Sequence, residues 1–197
     1  ITNNDYTVTQ LETIAGASSW TIKFTTHNTA LSGNSTNLAA ALANSSNYSG
    51  AVTITNNDYT ADELKVINNG TSGAITLDHV GVALSDTSTD LAAALAGTIT
   101  GHTGTIAITN NDYSVTELET IAGASSGTIT FTTTDRALSG NSTNLAAALA
   151  NSSNYAGAVT ITNNDYTLAE LVTINAGTGG TITCLLYTSD AADDLRC

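Results

Sequence analysis

The chain has 197 residues, with 17 acidic against 4 basic side chains, a net charge of −13, and neither proline nor methionine. Binding to a phosphate backbone needs clustered Lys and Arg, so this balance argues against a nucleic-acid partner. The longest apolar run, Leu-Ala-Ala-Ala-Leu-Ala, falls far short of the roughly 20 residues a membrane-spanning helix requires.

Taken in chain order, the first element is Ile-Thr-Asn-Asn-Asp-Tyr, and it returns: it starts at residues 1, 54, 108 and 161. A second motif, Leu-Ser-x-x-Ser-Thr-x-Leu-Ala-Ala-Ala-Leu-Ala, starts at 31, 84 and 138. Residues 1–53 match residues 108–160 except at positions 7, 10, 20, 23, 27, 28, 29 and 49. The period is therefore about 53 residues, and the most recent duplication copied two periods. With no Met at position 1, the first residue is not expected to be a natural start. No basic segment leads into an apolar run, so no signal peptide is visible.

After each Asn-Asn-Asp-Tyr comes a capping box, Thr7–Gln10, Thr60–Glu63, Ser114–Glu117 and Thr167–Glu170, which predicts a helix N-terminus. The helices present Leu11/Ile14, Leu64/Ile67, Leu118/Ile121 and Leu171/Ile174. A second helix set starts from N-caps Asn34, Thr87 and Asn141 and presents Leu38/Leu42, Leu91/Leu95 and Leu145/Leu149. Between them lie short period-two alternations whose first inward residues are Ile22, Val52, Ile75, Ile106, Ile129, Val159 and Ile182. The steps between these are 23 and 30–31 residues, alternately.

Strand and helix in alternation predict parallel strands with crossover helices, which are right-handed in nearly all proteins. One coil cannot bury its own apolar face, so stacked neighbours must supply a continuous core. The expected fold is α/β: a right-handed parallel α/β solenoid of alternating short (23) and long (30–31) coils, two coils per repeat, with one parallel sheet on one side and helices on the other. The alternative is a β-solenoid in which the helices are only turns. A doubly wound globular α/β domain is a further possibility.

No catalytic constellation is expected. The serines lack a nucleophile-elbow context, and His27, His79 and His102 share no repeat position, so they read as solvent-facing or loop residues. Asp5, Asp58, Asp112 and Asp165 recur every second coil, roughly 10 Å apart given a strand spacing of about 4.8 Å, too far for one Ca²⁺. They read instead as turn residues near helix N-termini, with Asn bonding turn backbone and Tyr packing beside the core. No cofactor or metal is expected, and the chain is not expected to be an enzyme. The outward strand face is the candidate binding surface: Thr53, Thr55, Thr105, Thr109, Thr128, Thr130, Thr132, Thr160 and Thr162 form rows interrupted by Lys23, Asp78 and two alanines. Such rows resemble the ice-binding faces of antifreeze solenoids, and Thr also simply suits an exposed strand.

In repeat style, residues 1–183 resemble the Thr/Asn/Ala-rich tandem arrays of large secreted bacterial surface or adhesin-like proteins. That resemblance implies an extracellular stalk or adhesive module contacting a surface, glycan or protein ligand, with flanking repeats of the same chain as neighbours. Residues 184–197 depart from the period in mid-strand, where Leu77 and Phe131 have Cys184 as counterpart. Cys184 through Asp193 resemble a translated transposase sequencing adapter, so 184–197 reads as a non-native tail. Without it the net charge is −11 and no cysteine remains.

Overall fold

The computed structural model describes residues 1–97, 99 and 101–184. In chain order these form α1 (Val8–Ala17), β1 (Leu31–Gly33), α2 (Ser35–Leu42), β2 (Val52–Ile54), α3 (Ala61–Gly70), β3 (Ile75–Leu77), β4 (Leu84–Asp86) and α4 (Ser88–Leu95). There follow β5 (Ile106–Ile108), α5 (Val115–Ala124), β6 (Ile129–Phe131), β7 (Leu138–Gly140), α6 (Ser142–Leu149), β8 (Val159–Ile161), α7 (Leu168–Gly177) and β9 (Ile182–Cys184). The chain is thus mixed α/β, with parallel strands alternating with helices. Helices of 8 to 10 residues stand where the β-solenoid alternative would place only turns.

The caps fall where the side chains dictate. All four capping boxes close in both directions, and Asn34, Thr87 and Asn141 each accept the N–H of the residue three positions on. These bonds satisfy backbone donors that the first helical turn leaves without partners. The helices start at residues 8, 35, 61, 88, 115, 142 and 168, an almost uniform spacing of 26–27 that differs from the 23 and 30–31 alternation of the predicted strands. We number seven units from these starts.

Two expectations about the strands need correction. The single sheet is instead three separate three-stranded parallel sheets, β1-β2-β3, β4-β5-β6 and β7-β8-β9. Units 3 and 5 carry two strands each, and the ladder changes from one to the other. Beyond β3 and β6 it continues only as single bridges, Ile75 to Ile99 and Ile129 to Ser152. In addition, β1, β4 and β7 are strands that sequence reasoning did not assign, because Leu-Ser-Gly and Leu-Ser-Asp offer one apolar residue and no alternation to read. Conversely, Ile22 makes only a bridge, to Ser45.

The core is one continuous cluster. Val52, Ile54, Ile106, Ile108, Val159 and Ile161 from the central strands meet Leu38, Leu42, Leu64, Ile67, Leu91, Leu95, Leu118, Ile121, Leu145 and Leu149 from the helices, all buried. Ile14, predicted inward, is exposed at 41% on α1, the first helix among the described residues. The principal helix contacts run between consecutive helices, α1 with α2, α2 with α3, and so on to α7. Among the described residues, no helix is long and apolar enough to cross a membrane.

Candidate functional site: the outward strand face and the junctions that hold it

Burial of Val52/Ile54, Ile106/Ile108, Ile129/Phe131 and Val159/Ile161 forces the alternate residues outward, and all nine candidate threonines are exposed or half-exposed. Strand register sets their neighbours. Thr53 lies between Ser32 and Thr76, and Thr160 between Ser139 and Thr183. Thr130 lies beside Ala107 and donates its hydroxyl to Ile106 O at 3.2 Å. Pairing continues past the strand ends, since Ile106 N donates to Thr128 O and Thr132 N to Ile108 O. That places Thr105 beside Thr128 and Thr109 beside Thr132. Thr55 has Asp78 for its neighbour, because Asp78 N donates to Ile54 O. The rows are therefore short, two or three residues across, and they restart with each sheet. Thr162 has its following-layer counterpart outside the described residues.

The Asn-Asn-Asp-Tyr turns do more than redirect the chain. Asn56 Oδ1 accepts the N–H of Ser35 at 2.8 Å, and its amide donates to Ser35 Oγ at 2.9 Å and Asp58 Oδ1 at 2.6 Å. Ser35 is the first residue of α2, so the asparagine ties the turn before α3 to the turn before α2, one layer away. Asn110 and Asn163 repeat this on Ser88 and Ser142.

The capping-box glutamate completes the link. Glu63 holds its own helix with the Thr60 N–H, and its two carboxylate oxygens take Ser35 Oγ at 2.8 Å and Thr36 Oγ1 at 2.7 Å. Glu117 receives Ser88 and Thr89, and Glu170 receives Ser142 and Thr143, in the same way. An ionised carboxylate has lone pairs for all of these donors. Burial pushes the Glu63 and Glu117 carboxyls upward, but the hydroxyl and backbone donors outweigh it and leave both below the usual value. Glu170 is drawn down to about 2, first by Thr143 and then by the Thr167 backbone.

Glycines mark the closest approach between layers. A Cβ on Gly73, Gly127 or Gly180 would lie closer than 3.0 Å to the carbonyl oxygen of Gly50, Gly104 or Gly157 in the preceding unit. Beside this column, buried Tyr48 and Tyr155 donate their hydroxyls to Thr29 O and Arg136 O. His102 holds the equivalent place between them, which corrects its reading as a solvent-facing or loop residue. It is fully buried, with Nε2 2.9 Å from Val82 O and Nδ1 2.9 Å from Ser125 Oγ. A carbonyl can only accept, so Nε2 carries the proton and the ring takes over the tyrosine's donor role. Burial lowers its pKa, partly opposed by the Val82 hydrogen bond. His27 and His79 are exposed.

Among the described residues, no group of three or more His, Cys, Asp or Glu is placed to hold a metal ion. Cys184 occupies the position of Leu77 and Phe131 in β9 and is half-buried; the remainder of the predicted tail lies outside the described residues. No family model, no curated protein and no solved structure matches the chain. Sequence reasoning saw the capping boxes but missed that each glutamate also binds the previous helix. The signal was present as the Ser-Thr pair 27 to 29 residues before every Glu63-type position.

Proposed function

We propose that residues 1–183 form a segment of a right-handed α/β solenoid, a structural and interaction module of a secreted or cell-surface bacterial repeat protein. Its role is extension and multivalent contact through the outward face, without catalysis. The observation that carries this reading is that each helix packs chiefly on its sequence neighbours, through junctions that repeat the same contacts. Such a stack extends by adding units, and many weak identical contacts along it add by avidity. The exposed Ser/Thr rows, with Thr53, Thr105, Thr109, Thr128, Thr132 and Thr160 among them, supply hydrogen-bonding groups suited to a glycan or a hydrated surface.

The test is to join two and three copies of residues 54–160 and measure the maximum dimension by small-angle X-ray scattering. A stalk lengthens by a constant increment per copy, whereas globular packing grows much more slowly. Adhesion to glycan-coated surfaces should strengthen at least tenfold from one copy to three; adhesion that is absent at every length removes the adhesive role. The second reading is binding to ice. It is favoured by the paired threonines Thr53/Thr76, Thr105/Thr128, Thr109/Thr132 and Thr160/Thr183, and ice recrystallisation inhibition at micromolar concentration decides it.

A further inference from the structure

We infer that unit 1 is a capping unit whose upstream face is altered so that no further unit of the array packs on it in the register used between units 2 and 3, 4 and 5, or 6 and 7. This rests on the stacked-unit reading proposed above. Two independent observations carry it. Residue 20 is the repeat counterpart of Gly73, Gly127 and Gly180, the positions where even a Cβ would collide with a carbonyl of the unit before. It is tryptophan, 82% exposed. An indole cannot occupy a space that excludes a methyl group, so a unit approaching as unit 4 approaches unit 5 is blocked.

The second observation lies at the other end of the same face. Residue 10 is the counterpart of Glu63, Glu117 and Glu170, whose carboxylates each take two hydroxyls from the preceding helix. It is glutamine. Gln10 still completes its own capping box through Oε1, but its other arm is an NH₂ donor and cannot accept the second hydroxyl. Both changes are among the eight positions that separate residues 1–53 from 108–160. They obstruct the close backbone approach and take away the second carboxylate acceptor toward a preceding unit, and leave untouched the contacts made toward unit 2. A segment placed ahead of unit 1 must leave the stack or dock by another geometry.

The test grafts residues 137–160 directly ahead of Ile1 in the full chain, which recreates the sequence context of Ile161. One version keeps the native face and the other carries Trp20→Gly with Gln10→Glu. Amide hydrogen exchange of the graft and the Tm of the whole are read in both. On the native face the graft should exchange as unfolded chain and leave Tm unchanged. On the altered face it should be protected at least tenfold and raise Tm. Equal protection on both faces overturns the capping inference alone. Protection on neither face overturns the stacked-unit reading beneath it.

Discussion

At the scale of single residues, what decides tolerance is distance to the neighbouring layer and not residue type. Gly123 lies in α5, where an added Cβ would meet nothing within 4 Å, whereas Gly127, four residues on, faces Gly104 O. Gly123→Ala is expected to stabilise by about 0.5–1 kcal/mol, because alanine loses less backbone freedom on entering a helix. Gly127→Ala is expected to destabilise by about 1–3 kcal/mol or more, by forcing layers apart. Chemical denaturation of the two variants measures both signs. His102 makes a second prediction. Its folded pKa lies below its ordinary value of 6.5, so the unfolded chain binds the proton more readily. Stability is then fully present above pH 6.5 and declines as pH falls through the interval down to the lowered folded value. His102→Tyr, which restores the residue found at 48 and 155, should flatten the fall of Tm as pH drops below 6.5; an unchanged slope would assign that pH dependence elsewhere.

At the scale of elements, the junctions are of two kinds. α1 with α2, α3 with α4, and α5 with α6 pack more extensively than the intervening pairs. The intervening pairs are where the glutamate links and the glycine column lie, so polar links and close backbone approach hold the junctions with less helix contact. Because the Glu63, Glu117 and Glu170 carboxyls are lowered, their contribution is present above the ordinary value of 4.5 and is lost as pH falls through the lowered values, about 2 for Glu170. Glu117→Gln keeps the shape but not the second acceptor. It should cost about 1 kcal/mol near neutral pH, given the exposure of the site, and should reduce the acid slope of Tm below pH 4.5. The helices and central strands were legible because caps and apolar spacing are local signals. Strands β1, β4 and β7 were not, since a three-residue strand with one buried leucine is defined by its partner across the layer. The outward direction of the threonines was legible from Val52/Ile54 and Ile106/Ile108, but their division into short rows was not, because it depends on where each ladder stops. His102 was misread for a related reason. Histidine carries no burial signal of its own, and only alignment with Tyr48 and Tyr155 places it inside.

At the scale of the whole molecule, helices that pack chiefly on their sequence neighbours leave the first and last described helices with surroundings unlike those of the middle ones. The downstream end shows this plainly. Leu168 and Val172 of α7 are 78% and 60% exposed. Val8 and Val115, the counterparts of Leu168, are half-buried, each within 4 Å of where a Cβ would stand on Gly33 or Gly140, in the strands that lead to the next helix. The upstream end is marked by Trp20, which is the chain's only tryptophan. Its indole emission therefore registers events at one extremity, whereas far-UV ellipticity sums over every helix. In a thermal scan the emission change should precede the loss of ellipticity if the extremities fray first. Superimposed transitions would instead show that the array melts as a single cooperative block, with the end as firmly held as the centre.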